Sequence, residues 1–448
     1  MKGQRKRLVM LVAAVGACVV AAGVAGARTQ ATLHIYGYGP GDDVAGSLIN
    51  FTKERLGSGT TIDNPAGGFD DQAFLARLAS GDAPDIVWMD RGRVGTYAAK
   101  GALQTFDNCI KSQKINMKQY RSAARQEVTY KGHVYGLPAF TNQITIMVND
   151  SAVKSAGLKP SDVSTKNWGR LMQVTKKLVK FDSSGKLTRI GFDPKIPEFF
   201  PLWVKWFGKG NAGKVISDDG LHARLNTPNA VKALTYTVSL INAQGGWNKF
   251  KSFRDTFDFF GADNPVVKDQ LAAWPMESFI YNVFANNSPN EPMSANYFTN
   301  RKGGPTTMFS GNAWVMPKGA KDSADACKWA KLMTSVPAWI NAAKNRSNLR
   351  KARGQAFTGL FTANTTADLR IFQGVIEPST KSPWYNPIVQ RLYRAPRFAF
   401  ALPVSPGSQE LRQAITDAVN RVLNGQQSPK QALKQAQREA QAAINKNK

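Results

Sequence analysis

Asp90 and Arg91 follow directly on the apolar run Ile86-Val87-Trp88-Met89 and precede an alanine-rich stretch at 94–100. An opposed pair of charges where a buried strand gives way to a helix is chemistry held on a rigid rim. Open α/β sheets place their ligands outside the carboxyl ends of the strands. The same two charges also suit a salt bridge or a helix cap, and the residues alone leave both readings open. A second concentration of usable side chains is FFPLWVKWF at 199–207, with five aromatics in nine residues. Catalysis finds little to work with. The histidines His34, His133 and His222 lack metal-ligand spacing with each other or with cysteine, and there is no HExxH. No serine sits in a G-x-S-x-G elbow. The segment GYGPGDD at 37–43 is glycine-rich after a strand, yet it has neither the G-x-G-x-x-G register nor a P-loop lysine. The reading is therefore a non-enzymatic chain with no metal and no cofactor.

The surrounding segments read as an α/β lobe. Residues 31–36 alternate and are β-rich, so they form a strand. Asp42 or Asp43 can cap a helix over 44–56. A second helix falls at 72–79, then the strand at 86–89, then a helix over 94–100. Strand, helix, helix, strand, helix implies parallel strands. Further helices are expected from Asn167 to about Lys180, over 228–243 behind Thr227-Pro228, over 322–344, and at 408–424 and 428–446. QLAAWPMESFIYNVF at 270–284 reads as strand, and 310–320 as strand then turn.

At 448 residues the chain exceeds one simple core. Lys2, Arg5, Lys6 and Arg7, then an apolar run over 8–27 ending in Ala25-Gly26-Ala27, have the pattern of a signal peptide over 1–27 cleaved after Ala27. The run is also long enough for an uncleaved anchor, and Val15-Gly16-Ala17-Cys18 is a weak lipoprotein-type box. Net charge is +28, which calls for an anionic partner or surface. Export and the scattered placement of the basic residues argue against nucleic acid, and no zinc-finger or RNP-type motif is present. A solvated basic face toward an anionic envelope fits better. Cys109 and Cys327 follow the leader, and an oxidising compartment permits a bridge that the sequence cannot place.

Five segments together resemble the extracellular solute-binding proteins of ABC importers, family 1, which includes the maltose- and other sugar-binding proteins. They are GDAPDIVWMDRGRVGTYAAKGAL at 81–103, YKGHVYGLPAFTNQITIMVND at 130–150, NWGRLMQVTKKL at 167–178, SGNAWVMPKGAKDSADACKWAKLMTS at 310–335 and NGQQSPKQALKQAQREAQAAINK at 424–446. Each motif alone is weak; five in order, over about 31–446, are strong. The resemblance implies a periplasmic-binding-protein-like fold of type II, two α/β lobes joined by hinge strands with a ligand cleft between them. Crossings are expected near 138–145, 307–314 and 358–367. The N-terminal lobe would comprise 31–140 plus 312–360, and the C-terminal lobe 141–311 plus 361–448.

A sugar offers hydroxyls at its edge and C–H groups on its faces, so its site needs aromatic planes beside charged or amide groups. The resemblance assigns that work to Asp90 and Arg91, to Asn142 flanked by Phe140 and Gln143, and to Phe279, Tyr281 and Glu277. Trp203, Trp206, Asn312 and Trp314 complete the set. Trp88, Trp168, Trp329 and Trp339 read as core, since an arbitrary tryptophan in such a lobe is core more often than cleft. In the first loop Pro40 stands where relatives carry a polar residue, which weakens Asp42 and Asp43 as ligands. The implied function is capture of a saccharide, an oligosaccharide by preference, and its delivery to an ABC permease by a monomer outside the cytoplasm, periplasmic or at the cell surface. Rival readings are a secreted polysaccharide-active enzyme, an adhesion or nucleic-acid-capturing surface protein, and a binder of another solute such as a sugar phosphate or a polyamine.

Overall fold

In β1 (Thr32–Tyr36) Leu33 and Ile35 turn to one core and Tyr36 to another on the opposite face, the period-two alternation of a strand, while His34 is exposed. The computed structural model describes residues 32–63, 68–208 and 210–448. The leader at 1–27, with Cys18, lies outside the described residues. α1 (Asp43–Leu56) begins where the Asp42 carboxylate accepts the Ala45 N–H at 2.8 Å, and it ends at Gly57 in the left-handed region. β2 (Gly59–Asp63) and β3 (Ile86–Asp90) both lie parallel to β1, with α2 (Asp71–Ala79) between them in sequence. α3 (Arg91–Ala99) starts at once after β3 because Asp90 caps it, accepting the Gly92 N–H at 2.8 Å.

Three apolar cores follow; the smallest, with Tyr36, Val87, Met89 and Val315, covers the other face of the β1–β3 sheet, and the two larger ones mark the two lobes. Of these two, the first gathers Leu33, Ile35 and Leu48 with Trp314, Trp329 and Trp339. The second gathers Ile146, Trp203, Trp274, Phe284 and Leu433. Two long antiparallel strands, Leu137–Asn149 and Pro305–Val315, run from one to the other. The second of these pairs with β3 at one end and with shorter strands at the other, and the first pairs with Ala273–Glu277 and Met293–Asn296. Residues 361–363 form a third crossing: the Thr141 N–H donates to Phe361 O at 3.1 Å and the Ala363 N–H to Ala139 O at 2.7 Å. The three expected crossing segments thus lie side by side. Gly311 makes this closeness possible. Its φ is +143°, and a Cβ there would stand 2.2 Å from the Phe140 carbonyl oxygen.

Three expectations change. Residues 270–284 are strand only over Ala273–Glu277; Ile280–Asn287 is helical. The region 322–344 holds two helices, Ser323–Met333 and Val336–Ala352, divided at Ser335, which caps the second. Beyond the expected lobe boundary at 360, Ala367 and Ile371 of the helix Thr365–Gly374 still pack into the first core. Cys109 and Cys327 are bridged, with Cα atoms 5.7 Å apart, and both belong to that core.

The cores also meet away from the crossings. The helix Ser408–Leu423 buries Leu411 and Ile415 in the second core, and its first turn faces α3. Gly95 is the contact point: a Cβ there would lie 2.6 Å from the Ser405 carbonyl oxygen. Around it, the Gln409 N–H donates to the Thr96 hydroxyl at 3.2 Å, and Lys100 pairs with Glu410 at 3.2 Å.

Candidate ligand-binding cleft

Between the cores lies a cavity of about 700 Å³. Its first wall comes from the loop after β1 and from β3. Tyr38 lies 4.7 Å from Trp88 and 5.3 Å from Trp314, centroid to centroid, and Trp88 lies 5.0 Å from Trp314. Tyr38 and Trp88 face the cavity while Trp314 backs them, fully buried. Burial pushes the Tyr38 hydroxyl above its ordinary range, with the nearby Asp42 charge adding to it, so it stays a neutral donor.

The opposite wall is one face of a helix. Phe279, Asn282, Val283 and Asn286 recur at spacings of three and four, so the helix Ile280–Asn287 turns all of them to the cavity. Phe260 lies nearly parallel to Phe279, at 10° and 6.4 Å. The Asn282 Nδ2 donates to Gly359 O at 2.7 Å, while its buried Oδ1 has no protein partner. Phe140, Asn312 and Phe361, from the three crossings, close the floor.

Charge enters from the helix Val336–Ala352. Arg346 donates to Asp43 at 2.9 Å and to Asp42 at 2.8 Å, both at the N-terminus of α1. Burial alone would raise the Asp43 carboxyl, but the hydrogen bond and charge of Arg346 outweigh it and hold it below its usual range. Arg350, one turn on, reaches across to the Asn282 carbonyl at 3.0 Å.

A second cavity of about 420 Å³ adjoins the first, and Asn312 lines both. Asp90, Asn142, Glu198 and Glu277 face it. Burial raises the Glu277 carboxyl, and Glu198 adds to the effect while Lys195 opposes it. Asp90 is both helix cap and ion-pair partner, 3.2 Å from Arg412.

The sequence candidates therefore divide. Phe140, Phe279 and Asn312 line the larger cavity, and Asp90, Asn142 and Glu277 the smaller. Gln143 is fully buried and donates to the Leu392 carbonyl at 3.0 Å. Arg91 is a correction. Its side chain is 0% exposed, pairs with Glu127 at 2.7 Å and donates to the carbonyls of Phe140, Ser310 and Asn312 at 2.6–3.1 Å. It ties β3 to both long strands and offers no ligand donor. Trp203 is core, with its indole N–H on Pro194 O at 2.9 Å. Tyr281 is core, its hydroxyl 3.0 Å from that of Thr145. Trp314 stands behind the aromatic wall. Trp206 stacks on Trp168 at 4.0 Å and lines neither cavity.

Conversely, Trp88, read as core, is half-buried and faces the larger cavity, and so does Asp42; Trp339 lies in the first core as read and also lines the cavity. Tyr38, Phe260, Asn282, Asn286, Arg346 and Arg350 carried no resemblance. Reading 279–287 with period 3.6 instead of period 2 is the signal that finds the asparagine face.

The sequence profile described as bacterial extracellular solute-binding protein matches residues 50–351. Among solved structures, CpMnBP1 with mannobiose bound superposes with a TM-score of 0.72 at 20% identity, covering 92% of this chain and 100% of that one. An ABC substrate-binding protein from Listeria monocytogenes in complex with cycloalternan gives 0.70 at 17% identity, covering 93% and 99%. The maltose/maltodextrin-binding domain of Bdellovibrio bacteriovorus bound to maltotriose gives 0.67 at 17%, covering 93% and 100%. The shared fold is the type II periplasmic-binding-protein architecture expected from the sequence.

Proposed function

The chain belongs to the bacterial extracellular solute-binding proteins, and from that premise we propose that it captures a saccharide in the cleft between its lobes and hands it to an ABC permease. The observation that carries the reading is the pairing of aromatic walls with amides. Tyr38 and Trp88 on one side, and Phe279 and Phe260 on the other, supply planes for the C–H faces of a sugar. Asn282, Asn286 and Asn312 supply donors and acceptors for its hydroxyls. A volume of about 700 Å³ is within the roughly 300–1,000 Å³ of small-ligand pockets and has room for more than one sugar ring.

Capture works by differential contact. A ligand touching both walls stabilises the closed arrangement over the open one by the contacts it makes only when the lobes approach. The three crossings are the natural hinge, and the closed form is what a permease can distinguish from the empty one. The basic, apolar leader at 1–27 is in keeping with export and so with capture outside the cytoplasm, for which a single copy of the chain suffices. The family and the structural neighbours are binding proteins rather than enzymes. Calorimetry of the purified protein against neutral and acidic oligosaccharides of two to four rings tests the proposal. Micromolar or tighter binding, with a smaller radius of gyration by X-ray scattering, is expected. Absence of binding across the panel, or turnover of any member, overturns it.

A further inference from the structure

We propose that the cleft is shaped for an acidic saccharide, one whose end carries a single carboxylate, and that Arg350 receives that carboxylate. The inference rests on the saccharide reading above and narrows it.

The cavity wall carries two guanidinium groups, and they differ in kind. Arg346 is matched: Asp42 and Asp43 both accept from it, and both acids also sit at the N-terminus of α1, where the helix favours negative charge. Arg350 is unmatched. It forms no ion pair among the described residues. Its protein acceptors are neutral, the Asn282 carbonyl at 3.0 Å and the Gln355 side-chain oxygen at 3.4 Å. The rest of its donor fork meets no acceptor among the described residues, and the side chain lines the cavity. Burial, followed by the neighbouring Arg346 charge, brings its pKa down to about 10, and the charge of Asp43 offsets only part of this. It remains protonated near neutrality. A half-buried guanidinium with free donors is matched by a planar carboxylate, which accepts two parallel N–H bonds and restores the missing charge.

The cleft is also polarised, which limits the ligand to one such group. Beyond Asn312 the smaller cavity presents Asp90, Glu198 and Glu277, with Arg412 beside them already paired to Asp90. A polyanionic chain would run its later carboxylates against these acids. A single acidic ring at the Arg350 end, with neutral rings toward Asn312, meets no such repulsion.

The test is calorimetry with disaccharides of one uronic acid and one neutral sugar, each beside its own methyl ester, which keeps the shape and removes the charge. At low salt the acid should bind at least about tenfold tighter than the ester, and the ratio should shrink as salt is added. Arg350→Gln should bring the ratio toward one, and Arg350→Lys, which keeps the charge, should retain part of it. Thermal unfolding of each variant reports whether it is folded. Acid and ester binding equally to the unaltered protein would overturn the inference without need of any variant. So would an acid preference that survives in folded Arg350→Gln. If neutral oligosaccharides bind and no acidic one does, the inference fails and saccharide capture stands; if nothing binds, both fail.

Discussion

Replacing Arg91 by methionine separates the two roles that its position suggests. The substitution keeps an unbranched apolar stem and deletes the guanidinium. Glu127, buried, then loses its ion-pair partner at 2.7 Å, and the carbonyls of Phe140, Ser310 and Asn312 lose a shared donor. Removing one member of a buried ion pair costs about 3–5 kcal/mol, because the remaining charge is left desolvated. With a urea m-value of about 2–3 kcal/mol/M, the midpoint should fall by about 1–2.5 M. Tryptophan fluorescence reads it directly. The deficit should also depend on pH with a definite sign. Burial raises the Glu127 carboxyl above its ordinary 4.5 even with Arg91 pulling it down, and loss of Arg91 raises it further. A raised acid contributes stability below its unfolded pKa and loses it as pH climbs through the folded value. The variant should therefore approach the parent in acid and fall away from it toward neutrality, and adding Glu127→Gln should recover much of the loss. A variant that keeps its urea midpoint yet no longer binds saccharide would mean that Arg91 serves the ligand and not the fold.

Glu277→Gln should match the parent below about pH 4.5 and exceed it in thermal stability near neutrality, since the raised Glu277 carboxyl loses its contribution as pH rises through its folded value. Equal melting curves at both pH values would contradict the burial argument. Cys109→Ser with Cys327→Ser releases a loop of 218 residues; the chain-entropy relation gives about 5 kcal/mol as an upper figure, and a loss of roughly 2–5 kcal/mol is expected in urea titration. Phe279→Ala should weaken saccharide binding about tenfold in calorimetry with a modest fall in melting temperature, because the ring lines the cavity and also packs on the edge of the second core.

What the sequence made legible was local and what it concealed was spatial. Caps and periods located α1, β3 and the tail helices to within a residue or two, because Asp42, Asp90 and Ser428 satisfy backbone donors wherever the chain lies. Two of the crossings were legible because motifs that carry the resemblance reach into them, at 138–145 and 310–314; the third, at 361–363, lies in none of the quoted motifs. Site membership was harder. Trp88 and Trp314 sit on paired strands with similar neighbours, yet one faces the cavity and the other a core. Nothing local in the sequence separates them. Arg91 looked like a rim charge because the strand ends there. Its partners Glu127, Ser310 and Asn312 are up to 221 residues away, and no local pattern announces them. The asparagine face was lost by reading 270–284 with period two, since the β-branched and aromatic residues of that stretch suit a strand as well as a buried helix.

The first core draws Leu33 and Ile35 from the start of the described chain, and Trp314, Trp329, Trp339 and Ile371 from far beyond the intervening second body. A ribosome that has delivered only the first three hundred residues has made a half-walled room with no roof. Cys109 must wait more than two hundred residues for its thiol partner. Such long-range closure is slow by nature. For the export proposed above, that delay would keep the chain able to thread through a membrane.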